Sequence, residues 1–429
     1  MERREAKFYP EDISTFQLHA LAWADQHFSY FHFFNGNQIS YPNGPFPIFL
    51  AAEADSLINF KDSNSFEDLK YAFNEKKDWL IGSLGYDLKN QIEDLKSSHP
   101  SHIEFEDILF YTPKHLIFFE PDHIRLCTYG NPEEIFQEIN CTPLPPLCKP
   151  TVGNINPVIN KRTYLEKVNK IKQHIIEGDI YEMNFCQEFF SPNCKIDPIT
   201  VHRLLSDKSP MPFSVFQKSR DKYLICASPE RFLKKENQRL ISQPIKGTIR
   251  RGKNKQEDEF LRQKLRNDEK ELAENMMIVD LVRNDLAQCA ISGTVNVDEI
   301  FGIYTFPQVH QMISTISAEL RPDIHFVDAI KAAFPMGSMT GAPKIKVMEL
   351  TEKYECSRRG LFSGAVGYIS PDGDFDFNVV IRSIFYDSTG QKLSFQVGGA
   401  ITYDSVPDQE YEECLLKAKA IQEVLATQL

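Results

Sequence analysis

What most constrains this chain is the order of its short apolar runs, because strand-like segments repeatedly follow one another across tight turns. Residues 28–34 (FSYFHFF), 46–50 (FPIFL), 79–85 (WLIGSLG) and 115–120 (HLIFFE) are too short for helices and rich in aromatic and branched side chains, and Asn35-Gly36 and Asn43-Gly44 supply turns between them. Further on, strands are expected at 180–190, 213–217, 223–227, 232–235, 239–243, 294–303 and 309–319. Residues 361–370 and 375–386 then read as a hairpin through Pro371-Asp372-Gly373, and 392–397 as a last strand leading to Gly398-Gly399. Helical spacing is clear over 161–177 (Leu165, Val168, Ile171, Ile175, with Gly178 as the stop), and helices are also expected over 198–206, 256–282, 327–334, 344–354 and 408–429. Runs of strands interrupted by helices predict an α+β fold with large mixed or antiparallel sheets flanked by helices. Residues 141–157 (CTPLPPLCKPTVGNINP) carry five prolines and no periodicity. They predict a linker between a β-rich N-terminal subdomain, 1–140, and a second region, 158–429.

Charge and cysteine usage narrow the function. At 429 residues and a net charge of −12, the chain lacks the basic balance that nucleic acid or an anionic membrane demands, although a small anionic ligand needs only a few local cations. Nine cysteines without CxxC spacing read as reduced thiols. The N-terminal MERREAKFYPEDIS has no apolar core and no run approaches a membrane span in length, so a cytoplasmic protein is expected.

Several charges stand in unusual company. Lys246 lies between Ile245 and Gly247, and Glu274 lies on a helix among residues suited to burial. A Lys-Gly at a strand end is ordinarily a solvated turn. If Lys246 instead enters a partly dry cavity, burial should lower its pKa and make it a usable nucleophile. Glu410, Glu413 and Lys417 fall at i, i+3 and i+7 on the terminal helix, one face of it. Alone they are a solvated face; paired with Glu274, the carboxylates of two helices would suit a hard cation such as Mg²⁺. Residues 334–344 (FPMGSMTGAPK) run small residues into a helix start, a cradle for an anion, and the spacing is not that of a Walker P-loop. Arg382 on its strand and Gly398-Gly399 could hold a second carboxylate, although a lone strand arginine is more often structural.

PIKGT at 244–248, SPERF at 228–232, ENMMIVDLVRNDL at 274–286, PMGSMTGAPK at 335–344, RGLFSGAVGYIS at 359–370 and GGAITYDSVPDQEYEECLLKAKA at 398–420 together resemble the chorismate-utilising enzymes. The resemblance covers 156–429 in the family's own order, and more loosely the N-terminal half through GSLGYDLKNQIE. It implies an anthranilate-synthase component I-like fold. It also implies Mg²⁺ held by Glu274 and Glu413 with Glu410 behind them, Glu230 as general acid, Thr340, Gly341 and Ala342 cradling one chorismate carboxylate, Arg382 and Gly399 contacting the other, and Lys417 near the metal. Lys246 stands where the anthranilate and isochorismate branches have alanine, which is the mark of the aminodeoxychorismate branch. There the lysine is held to attack C2 of chorismate while the C4 hydroxyl leaves, and ammonia then enters at C4. Ammonia is expected from a separate glutamine amidotransferase subunit, since no Cys-His-Glu glutaminase module is evident in the chain. The rival expectations are the anthranilate branch and a non-catalytic, tryptophan-binding regulatory subunit. Three positions depart from the family pattern: Glu182 stands where glutamine is usual, Gln311 where relatives that expel pyruvate have histidine, and Ala287-Gln288 where Gly-Arg is usual.

Overall fold

A computed structural model describes residues 3–61 and 64–426 of the chain. Its core is one twenty-stranded network in which every pairing between the described strands is antiparallel, with a separate two-stranded ribbon of Thr151–Val152 and Cys194–Lys195. Strands of the two halves of the sequence pair directly. Tyr30–Asn35 runs beside Phe213–Ser219, and Leu80–Leu84 beside Ala365–Ile369.

Strand side chains alternate between faces, and here both faces are buried. On Phe49–Leu57, Phe49 and Ala51 enter one apolar core while Leu50 and Ala52 enter another. That is why runs such as FSYFHFF carry no polar alternation. Helices Ser65–Glu75, Glu269–Ala287 and Phe326–Ala333 cover the first core; Ile13–His27, Lys161–Ile176 and Pro407–Leu425 cover the second. The result is the α+β architecture that the pattern of runs predicts. No helix among the described residues is long and apolar enough to cross a membrane.

The structure departs from the sequence reading in ways that matter for the site. The single helix expected over 256–282 is two, Lys255–Arg266 and Glu269–Ala287. Asp268 caps the second by accepting from the amides of Lys270 and Glu271, since a short acid competes well for free amides at a break. The strand expected over 375–386 is likewise two, Phe375–Asn378 and Ser383–Asp387, and Arg382 sits in the gap at φ 52° rather than on a strand. The last strand, Lys392–Ile401, continues through Gly398-Gly399 instead of stopping before them. A Cβ at Gly398 would come within 2.4 Å of the Cys186 sulfur, so only glycine lets these strands meet. The terminal helix is described as Pro407–Leu425; the expected extension over 427–429 lies outside the described residues. Three N-terminal helices, Ile13–His27, Ser65–Glu75 and Pro132–Cys141, have no counterpart in the sequence reading. Two announce themselves only through caps, Asp12 and Asn131-Pro132.

Candidate active site

Between the Glu269–Ala287 and Pro407–Leu425 helices and the strands they cover lies a cavity of about 670 Å³, large enough for a small-molecule substrate. Lys246, Glu230, Glu274, Glu413, Arg382, Gly399 and Lys417, residues far apart in the chain, all line it.

Lys246 is turned inward by an irregularity in its strand, Ile245–Arg250. The register against Val309–Glu319 slips between Ile245 and Thr248, where Gly247 adopts φ 90°. Its side chain is 10% exposed and Nζ donates to Glu182 Oε1 at 2.6 Å. The expected low pKa is not what this environment produces. Burial does press toward the neutral amine, but Glu182, Glu274 and Glu230 together outweigh it and hold the group above the ordinary lysine value. Lys246 is therefore a cation in this chamber, tied to a carboxylate.

Glu230 lies between strands Lys222–Ser228 and Arg231–Glu236 with its side chain buried. Burial pushes it up to about 7, against the opposing pull of the Ser338 hydroxyl, the Lys246 charge and the Ile245 amide. Such a carboxyl is part-protonated near neutrality, the state a proton donor needs. Glu274 is also pushed up to about 7, by burial first, with Lys246 opposing and Glu182 adding to the rise, and its Oε1 has no hydrogen-bond partner.

The other helix contributes Glu410, which is 3% exposed, and Glu413, whose carboxylate pairs with Lys417 at 2.8 Å. Lys417, with help from Lys270 and Lys246, holds the half-exposed Glu413 below the usual carboxylate value. Lys417 also donates to the Gly398 carbonyl. Lys270 spans the two helices, its ammonium 3.7 Å from Glu274 and 3.5 Å from Glu410. A cation therefore already stands between these acids, and the Glu274 oxygen it approaches, Oε1, is buried without a hydrogen bond. Oxygen donors of this kind fit a hard divalent ion. In this conformation the three carboxylates do not close into a cluster; among the described residues the one His/Cys/Asp/Glu trio within 4.8 Å is His174, Glu177 and Asp179, at a helix end elsewhere.

Arg382 lines the cavity, its guanidinium without a hydrogen-bond or ion-pair partner among the described residues, and burial presses its pKa down, so the group is free for an anion. A Cβ on Gly399 would lie 3.4 Å from Glu410 and 3.6 Å from Glu413, which shows how closely backbone and acids approach there. Thr340, Gly341 and Ala342 stand behind the cavity wall rather than in it. Thr340 is fully buried with its amide bonded to the Gly337 carbonyl, and Gly341–Ala342 pairs with Glu182 and Met183, while Ser338 and Met339 form the wall itself. Of the two side chains at 310–311, Gln311 faces the cavity, with Oε1 unpartnered; His310 is turned away onto Thr305 and Asp258.

Sequence reasoning missed the functional weight of Glu182, Lys270 and Ser338. Lys270 could have been found four residues before Glu274 on the same helix face. Ser338 and Glu182 acquire partners only through tertiary contact.

Comparison with known proteins places this geometry. The family of chorismate binding enzymes matches residues 17–423. Aminodeoxychorismate synthase component 1 of Bacillus subtilis is 33% identical over 374 residues, 83% of this chain and 79% of that protein. Anthranilate synthase component 1 of Thermus thermophilus is 34% identical over 356 residues, 80% of this chain and 76% of that one. The crystal structure of anthranilate synthase component I from Streptococcus pneumoniae superposes with a TM-score of 0.77 at 25% identity, covering 90% of this chain and 94% of that one.

Proposed function

This chain belongs to the family of chorismate-binding enzymes, and on that footing we propose that it is component I of an aminodeoxychorismate synthase, converting chorismate and ammonia to 4-amino-4-deoxychorismate. The Bacillus subtilis aminodeoxychorismate relative and the Thermus thermophilus anthranilate relative differ by a single percentage point of identity, and although other aminodeoxychorismate synthases reach 40%, the site sharpens the choice. The observation that carries it is Lys246: an amine buried in the cavity beside the acid Glu230, at the position where the anthranilate pattern has alanine.

In this reading the lysine nitrogen attacks C2 of the ring while Glu230 gives its proton to the departing C4 hydroxyl, which leaves as water. Positioned proton donation of this kind is worth roughly 10²–10⁴ in rate. Ammonia then enters at C4 and expels the lysine, leaving the enolpyruvyl group in place; Gln311, with no proton to donate as imidazolium, fits that retention. Arg382 and Lys417 would hold the substrate carboxylates. Glu274, Glu410 and Glu413 would hold Mg²⁺, which when bound supplies positive charge for an anionic substrate. The component 1 designation of relatives supports a partner subunit, and a glutamine amidotransferase delivering ammonia is the partner proposed.

The test is product analysis with chorismate, Mg²⁺ and ammonium. Mass spectrometry should find 4-amino-4-deoxychorismate without pyruvate release, and Lys246→Ala should reduce its formation by about 10³-fold or more. Anthranilate as product would overturn the assignment.

A further inference from the structure

An ammonium has no lone pair, so Lys246 can bond to carbon only after its proton has gone to an acceptor within hydrogen-bond reach. Its ammonium donates to Glu182 Oε1, at 2.6 Å, on a side chain that is 1% exposed. Glu230 is needed in the opposite role, as the acid for the leaving hydroxyl, and the carboxylates of the two helices face the cation.

Glu182 is also rigidly held. It pairs with Ala342 across neighbouring strands, and a Cβ on Gly341, which adopts φ 148°, would meet the Glu182 carbonyl oxygen at 2.1 Å. Its Oε2 is buried with no hydrogen-bond partner. Two fully buried arginine pairs of the scaffold are closed instead, Arg359 bonding both oxygens of Glu355 and Arg231 both oxygens of Asp376, whereas the Lys89–Glu352 pair also leaves one oxygen, Glu352 Oε2, bare. A bare buried acceptor is costly, and the one on Glu182 differs from the one on Glu352 in that its partner, Lys246, lines the cavity. The bare oxygen of Glu182 keeps capacity for a proton.

We propose that Glu182 is the catalytic base that removes the proton from Lys246, and the acid that returns it. This rests on the reading of Lys246 as nucleophile. The Lys246 proton passes to Glu182, giving a neutral amine beside a neutral carboxylic acid. The nitrogen lone pair bonds to C2 as both conjugated ring double bonds shift and the C4–O bond breaks; the oxygen takes the Glu230 proton and leaves as water. Ammonia bonds to C4, the C2–N bond breaks back to neutral lysine, and the new C4 ammonium returns a proton to Glu230. Glu182 then reprotonates Lys246. The sum is chorismate plus ammonia to aminodeoxychorismate plus water, with every enzyme group restored.

The experiment follows adduct formation on Lys246 by mass spectrometry after mixing the full-length protein with chorismate and Mg²⁺ without ammonia, alongside steady-state turnover with ammonium across pH. Glu182→Gln, nearly isosteric, should keep KM within about threefold while adduct formation and turnover fall by about 10²–10⁴. Solvent deprotonation of the amine should offset the loss of the Glu230 proton above about pH 7, so the variant's residual rate should stay level there where the native protein's falls about tenfold per pH unit. Glu182→Asp should retain turnover within about tenfold, with an unshifted profile. Adduct formation in Glu182→Gln at the native rate or faster would mean that the carboxylate only restrains the cation, and overturns the proposal; so would Asp and Gln variants that are equally slow. If the native protein forms no adduct and Lys246→Ala keeps full turnover, the nucleophile reading fails instead, which is a separate and recognisable result.

Discussion

Two sets of buried charges in this molecule are handled in opposite ways. In the scaffold, Arg231 is held by both oxygens of Asp376, by Gln243 and by two backbone carbonyls, and Arg359 is held by both oxygens of Glu355 and two carbonyls. At the cavity, Glu274 and Glu182 each leave a buried oxygen without a hydrogen bond, the Arg382 guanidinium has no partner among the described residues, and two carboxyls are pushed up to about 7. The same chain therefore knows how to satisfy buried charge and does not do so here. Incompletely paired acids and a free guanidinium sharing one cavity are what a site complementary to an anionic ligand and a cation looks like before either is bound.

The comparison breaks most readily at the scaffold pair. Asp376→Asn should cost about 3–5 kcal/mol of unfolding free energy, because it strands the Arg231 guanidinium without its counter-charge. Chemical denaturation measures it, and a loss below about 1 kcal/mol would remove the contrast between the two regions.

Next in size is the pH response of Glu230. A carboxyl raised from 4.5 to about 7 on folding contributes stability that is fully present below the unfolded value and is lost as pH rises through the folded one. Metal-free protein should therefore lose up to about 3 kcal/mol between pH 4.5 and about 7 through this group, and Glu230→Gln should flatten that part of the curve. The same group should make kcat/KM fall above about pH 7, as the free enzyme's acid loses its proton. A profile still rising a full pH unit higher would contradict its role as proton donor.

Glu274 carries the same upward shift, so Glu274→Gln should also flatten the loss of metal-free stability between pH 4.5 and about 7, by up to about 3 kcal/mol less whatever Lys246 and Lys270 return to the charged form. It should in addition abolish most of the rise in Tm that Mg²⁺ gives the native protein, since a ligand stabilises only in proportion to its affinity for the fold. A full Mg²⁺ response in this variant would move the cation elsewhere.

Local pattern explains why parts of this arrangement can be read from sequence. Apolar runs, helical spacing and Pro371-Asp372-Gly373 depend on neighbours in sequence, so the α+β alternation and most strands can be drawn without coordinates. Lys246 and Glu274 stand out as charges in apolar or glycine-rich company and Glu413 by the helix face it shares with Glu410 and Lys417, whereas Glu230 is singled out only by the resemblance to the family. The breaks at Asp268 and Arg382 are harder to see, because each interrupts an otherwise continuous pattern with a single residue whose conformation is set by what packs against it.

By itself the chain determined its layered fold and the identity of the acids and amine that gather at one site, since these follow from residue type and periodicity. The protonation of that amine was decided only by tertiary structure. Burial alone presses Lys246 toward the neutral amine, but three carboxylates brought from distant segments hold the charge in place, and electrostatic energy depends on distance through space rather than along the chain.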